Sequence, residues 1–131
     1  MTRSALTVSA VAVASLVATA PGHAQQAQPE TFVAMQEISV PIVDARRMGG
    51  VLRGSVVLEA RDAASAASLA QRMPELRAAG LGAAIEFARL HASPFAPVNV
   101  RKLSDTLAPA LHSVEPGIAR ILIVKVSALA A

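Results

Sequence analysis

The chain contains no cysteine. That single absence removes disulfides, thiolate metal sites and cysteine nucleophiles together. It also has no Tyr, no Trp and only three Phe. Any core must then be built from Val, Ile, Leu, Met and Ala, with each branched side chain contributing about 1.5–3 kcal/mol on full burial. Charge of one sign is not concentrated anywhere either. Lysine is limited to Lys102 and Lys125, arginine supplies the other bases, and acids interleave with them across a net +3. Nucleic-acid binders carry a basic stripe with aromatic or groove-reading elements; neither is present, and that class is set aside. What remains is a 131-residue, 53% hydrophobic, Ala-biased sequence without internal repeats, the size of one small domain.

The chain opens with an address. Arg3 supplies a positive start, Ala5 to Ala20 an apolar run, and Pro21-Gly22-His23-Ala24 a turn with small residues at the cleavage positions, the three parts of a secretory signal. Cleavage after Ala24 exposes Gln25, and Ala18-Thr19-Ala20 is a second, weaker site. A membrane-spanning helix needs about 20 predominantly apolar residues. This run is shorter, and Thr7, Ser9, Ser15 and Thr19 interrupt it. A cleaved signal over residues 1–24 is therefore favoured over a retained anchor. Arg3 stands alone, so a twin-arginine signal is unsupported. Residues 25–36, opening QQAQPET, read as a flexible lead-in, and residues 37–131 as the domain.

Alternation in EISVPIV places Ile38, Val40 and Ile42 on one strand face. Pro41 cannot donate to a ladder, which marks an edge strand or a bulge. Residues 44–50 read as a turn. A second strand follows in VLRGSVVLEA, with Leu52, Val56 and Leu58 on one face, Arg53 and Glu59 on the other, and Gly54 as a candidate bulge. Asp62 is an N-cap for a helix starting at Ala63, with Ala66, Leu69, Ala70 and Met73 as its apolar stripe.

Pro74 then falls inside what otherwise resembles one long helix. In a helix interior proline costs about 3 kcal/mol or more, whereas at the start of a helix it costs little. A fresh stripe of Leu76, Ala79, Gly80, Ala83, Phe87 and Leu90 begins just after it. The pattern predicts two helices, the second opening at Pro74. HASPFAPV is a connecting loop, Asn99 caps a third helix with stripe Val100, Leu103, Leu107, Ala110, Leu111 and Val114, and Pro109 is expected to kink or end it near Leu107. After the Glu115-Pro116-Gly117 turn, IARILIVKVSAL is apolar on both faces, which predicts a central strand covered on each side. The expected class is α+β: a small mixed or antiparallel sheet of about three strands, packed by two or three helices in the order β-β-α-α-α-β.

No residue is assigned a catalytic, cofactor or metal role. Gly80-Leu81-Gly82 lacks the third glycine and the preceding strand of a dinucleotide loop, and close helix packing explains it better. His91 and His112 have no acidic or histidine neighbour at helical spacing, and no G-x-S-x-G supports a hydrolase. Arg46 and Arg47 are candidate contacts to an acidic partner or anionic lipid, although two charges fall short of a lipid-binding cluster.

VVLEARD (56–62), MPELRAA (73–79), NVRKLSDTL (99–107) and ILIVKV (121–126) together resemble the flagellar basal-body FliL family across roughly residues 37–128. The matching positions are Asp62, Pro74, Leu76, Arg77 and Asn99. The resemblance implies a stomatin-like fold, a periplasmic location, side-by-side assembly, and non-enzymatic support of a flagellar-motor or related envelope complex. Two features depart from the family: a signal-like leader replaces its N-terminal membrane helix and cytoplasmic segment, and HASPFAPV and Pro109 fall where regular helix or a polar linker is expected. The expected partners are envelope proteins and further copies of the chain in weak homo-oligomers. Membrane association is expected to be indirect, or through an uncleaved leader. The alternative is a soluble periplasmic module binding an unassigned ligand.

Cleavage after Ala24 makes Gln25 the first residue of the exported protein. Intact-mass analysis of periplasmic material will show that N-terminus; a full-length chain extracted only by detergent would establish the anchor instead.

Overall fold

The computed structural model describes residues 30–44 and 47–131. A 14-residue strand, β3 (Arg47–Ala60), runs through the centre of an antiparallel sheet. Along one edge it pairs first with β2 (Ile38–Asp44) and then with β1 (Phe32–Ala34); along the other it pairs with β4 (Ile118–Ala130). Three helices, α1 (Ala63–Gln71), α2 (Met73–His91) and α3 (Val100–Val114), connect β3 to β4. The order is β-β-β-α-α-α-β, an α+β domain as the patterning predicts.

Alternation decides which side of the sheet is covered. Ile38, Val40 and Ile42 of β2 and Leu52, Val56, Leu58 and Ala60 of β3 are buried, all on the face that meets the helices. The helices contribute Ala66 and Leu69 from α1, Leu76, Ala84, Phe87 and Ala88 from α2, and Leu103, Leu107 and Leu111 from α3. Among the described residues Phe87 is the only buried aromatic ring. The expected stripes hold with three exceptions: Ala70 of α1, Leu90 of α2 and Val100 of α3 are exposed; in α2 the inward positions are Ala84 and Ala88 instead.

The helix break falls where the proline argument puts it. Pro74 lies in the first turn of α2, one residue after Met73, where its missing N–H has no intrahelical acceptor to lose. Pro109 is a correction. It neither ends nor splits α3, which runs through it to Val114. Pro109 and Asp105 are both exposed, so water can reach the Asp105 carbonyl that loses its helical donor. Leu107 and Leu111, buried on either side of the proline, hold the helix in place.

Three further expectations change. The lead-in is shorter than residues 25–36, because Phe32–Ala34 form β1, Met35 is buried, and the Met35 N–H donates to the Val56 carbonyl at 3.0 Å. The turn read over residues 44–50 shrinks, because Asp44 already pairs with Arg47 and a bulge at Gly49 absorbs the register shift. Gly50 must remain glycine: a Cβ there would sit 2.2 Å from the Leu129 carbonyl oxygen.

The last correction concerns β4, which is an edge strand; the central strand is β3. Its continuous apolar run comes from irregular register. Val56 pairs with Ile123 while Ser55 pairs with Lys125, leaving Val124 as the extra residue of a bulge. A bulge breaks the two-residue period, so apolar neighbours in sequence need not mean two covered faces.

Gly80 and Gly82 separate two roles of glycine in one helix. A Cβ on Gly80 would meet Ile38 Cδ1 at 3.2 Å and Met35 Sδ at 3.6 Å, whereas one on Gly82 meets nothing within 4 Å. Gly82→Ala should therefore raise stability by about 0.5–1 kcal/mol through helix propensity. Leu76→Asp should cost about 3 kcal/mol or more, because Leu76 is fully buried and a charge there has no partner. Thermal melts of both variants check this; a neutral Leu76→Asp would mean that α2 does not seat on the core.

Candidate functional site

The five residues matched to the FliL pattern hold the fold and do not converge. Asp62 caps α1, its Oδ1 accepting from the Ser65 N–H at 2.7 Å, and Asn99 caps α3 by accepting from the Lys102 N–H at 3.0 Å. Arg77 donates to the carbonyls of Gln36 (3.1 Å) and Glu37 (3.4 Å), tying α2 to the link between β1 and β2. Pro74 is exposed in the first turn of α2, and Leu76 is in the core. Arg47 is exposed at the tip of the β2–β3 hairpin; Arg46 lies outside the described residues.

Sequence reading missed Glu115, which organises the opposite end of the domain. Its carboxylate accepts from the Ser68 hydroxyl and the Gly117 N–H, both at 3.1 Å, and lies 3.5 Å from the Arg72 guanidinium. Arg72 also pairs with Glu75 at 2.9 Å. Glu115 thus clamps α1 to the turn before β4. Only the Glu-Pro-Gly turn was readable, because Ser68 and Arg72 lie more than 40 positions away. His112 places Nε2 3.1 Å from the Ile118 carbonyl oxygen, and the His91 ring lies against Phe87 with centroids 5.7 Å apart. Among the described residues no group of three or more His, Asp or Glu is close enough to hold a metal ion.

Three surface features offer themselves for recognition. The first is β4 itself. Among the described residues its 13 residues pair with β3 alone, and an open groove of about 450 Å³ runs between it and α3, lined by Val100, Arg101, Ser104, Asp105 and Ile121–Ile123. Val124 beside it is 67% exposed. The second is a polar cleft of about 110 Å³ on the uncovered face of the sheet, formed by Glu37, Arg53, Ser55, Lys125 and Ser127. The third is a cleft of about 200 Å³ between the hairpin tip and the α2–α3 loop, lined by Val43, Asp44, Arg89, Pro94 and Phe95 among others.

No model of a known protein family matches the chain, and no curated protein matches it in sequence. Among the described residues no helix is long and apolar enough to cross a membrane.

Four carboxylates sit below their ordinary titration range. Glu115 is lowered by the Gly117 N–H first, then by the Ser68 hydroxyl and Arg72; Asp62 is lowered by the Ser65 N–H. Glu59 is lowered by its cross-strand bond to Arg120, and Glu86 by its bond to Arg89. Each is depressed in the folded state, so its contribution is complete above the unfolded value of about 4. That contribution is lost as pH falls through the lower folded value. Thermal midpoints should drop below about pH 4, and Glu115→Gln should lower the midpoint at neutral pH while making the acid limb shallower. An unchanged acid limb in that variant would show that Glu115 is not one of the linked groups.

Proposed function

We propose that the chain is a non-enzymatic, exported scaffold domain working at the periplasmic face of the inner membrane, where it supports a flagellar-motor or related envelope complex. Export rests on the leader over residues 1–24, which lies outside the described residues. The FliL-like assignment rests on the four matching segments, which fall at the end of β3, the opening turns of α2, the first half of α3 and the middle of β4. The observation that carries the interaction role is the free edge of β4. Unpaired N–H and C=O groups along an edge are a template for another chain, and strand addition draws its affinity from them while side-chain pockets add specificity. Here the edge runs beside a groove whose β4 side is apolar and whose α3 side carries Arg101, Ser104 and Asp105, and Val124 is exposed midway along the strand.

The partner this edge fits first is a second copy. A specific interface buries about 800 Å² on each side, and a core with one buried ring leaves the isolated domain room to gain from association. The second reading, a soluble module binding a small ligand, is favoured by the polar cleft around Arg53 and Lys125.

Analytical ultracentrifugation of the chain beginning at Gln25, over a wide concentration range, separates the two. Weak oligomers that tighten on adding membrane fractions, and that Val124→Lys returns to monomer, are expected. A strictly monomeric profile at every concentration, with no change on adding membranes, would end the scaffold reading and leave the binding module.

A further inference from the structure

The hairpin end of the domain gathers exposed apolar side chains beside basic ones. Among the described residues, five of the nine large exposed apolar side chains belong to this pole: Val43, Met48, Leu90, Phe95 and Leu129. Val43 and Met48 face each other across the hairpin. Phe95 comes from the α2–α3 loop and lines the same cleft as Val43. Gly50, whose missing Cβ leaves room for both the Leu129 carbonyl and Pro94, brings the end of β4 and the α2–α3 loop to this pole, with the Leu129 side chain lining the cleft on the uncovered face of the sheet. Monomeric proteins rarely leave such a cluster uncovered without a use for it.

Phe95 is the sharpest member. It is 88% exposed, the most exposed large apolar residue among those described. The segment presenting it is stiff: Pro94 and Pro97 fix two backbone angles, and the Phe95 N–H donates to the Ser93 hydroxyl at 3.2 Å. A ring held out by a braced loop gives up little conformational entropy on insertion.

The charges are also distributed by pole. Arg47, Arg89, Arg101 and Lys102 lie at or next to this end, against Asp44, Glu86 and Asp105. At the other end Glu30, Glu59, Asp62, Glu75 and Glu115 outnumber Arg61, Arg72, Arg77 and Arg120 by a single charge. The apolar cluster therefore sits on the basic pole and the acidic excess on the far one. Apolar side chains flanked by Arg and Lys are the chemistry of interfacial membrane binding, where rings and aliphatic chains enter the headgroup boundary and cations remain among the phosphates.

We propose that this pole, with Phe95 at its tip and Arg47 on its rim, is a membrane-surface docking site for bilayers carrying anionic headgroups. It is separate from the free edge of β4, and neither proposal requires the other. The few basic residues of this pole fall short of a polybasic cluster; the apolar insertion supplies the main part and the charges select the lipid.

The test is sedimentation with vesicles of neutral phosphatidylcholine alone and of the same lipid with about one-third phosphatidylglycerol, at low and physiological salt. The chain starting at Gln25 is used, because among the described residues every buried core residue lies between Met35 and Ile118 and the apolar leader would itself partition. Binding should favour the anionic vesicles and weaken with salt. Phe95→Ser should reduce it about tenfold or more, the scale set by removing one buried ring, and Arg47→Glu should erase the preference for anionic lipid. Both positions are exposed, so melting curves should match the parent, and Val124→Lys should bind vesicles unchanged. Absence of vesicle binding would overturn the proposal, as would binding indifferent to Phe95 and Arg47. Loss of self-association in Phe95→Ser without any vesicle binding would also overturn it, marking the pole as a contact between copies.

Discussion

With one buried ring in its interior, the domain cannot fill space with large side chains and has to bring its backbones together instead. The contact that achieves this is α2 against β2 at Gly80, where Ile38, Met35 and Leu111 close around a position with no Cβ. Above and below that point Leu76 and Phe87 are fully buried. The start of α2 is then set by Pro74, because a helix that began a turn earlier would carry the ring into its interior and lose a hydrogen bond. A similar close approach at Gly50 lets the end of β4 and the α2–α3 loop lie against β3.

Placing all three helices on one face has a consequence for the surface. Two layers cover one side of the sheet and leave the other in water. The uncovered face accordingly carries Ser39, Arg53, Ser55, Lys125 and Ser127 between apolar residues at its ends. The three-strand width also leaves β4 with one neighbour. Its protection is partial: the bulge at Val124 and the charges of Arg120 and Lys125 discourage indiscriminate pairing, while Ile121–Ile123 keep its side of the groove apolar.

The two ends of the molecule differ in chemistry because different constraints act on them. At the α1 end, ion pairs and hydrogen bonds through Glu115 and Arg72 join elements distant in sequence. At the hairpin end no ion pair among the described residues joins distant elements in this way; proline, glycine and a bond from the Phe95 N–H to the Ser93 hydroxyl shape the loop and leave its apolar residues uncovered. One end is arranged to stay closed, and the other presents a surface.

Local patterning by itself determined the class of fold, the inward faces of β2 and β3, the caps at Asp62 and Asn99, and the helix boundary at Pro74. Each of these follows from interactions within a few residues: side-chain alternation, a carboxylate or amide reaching a nearby N–H, a ring without a donor. Only the tertiary structure decided the rest. Which strand is central depends on pairing between residues up to about 80 positions apart, and a bulge hid the edge character of β4 behind an apolar run. Pro109 is tolerated because its side of α3 faces water while Leu107 and Leu111 are held in the core. The pole that joins Arg47 to Phe95 exists because the chain returns the α2–α3 loop to the hairpin tip. No local period reports which distant segments will meet, since that is set by how the layers pack.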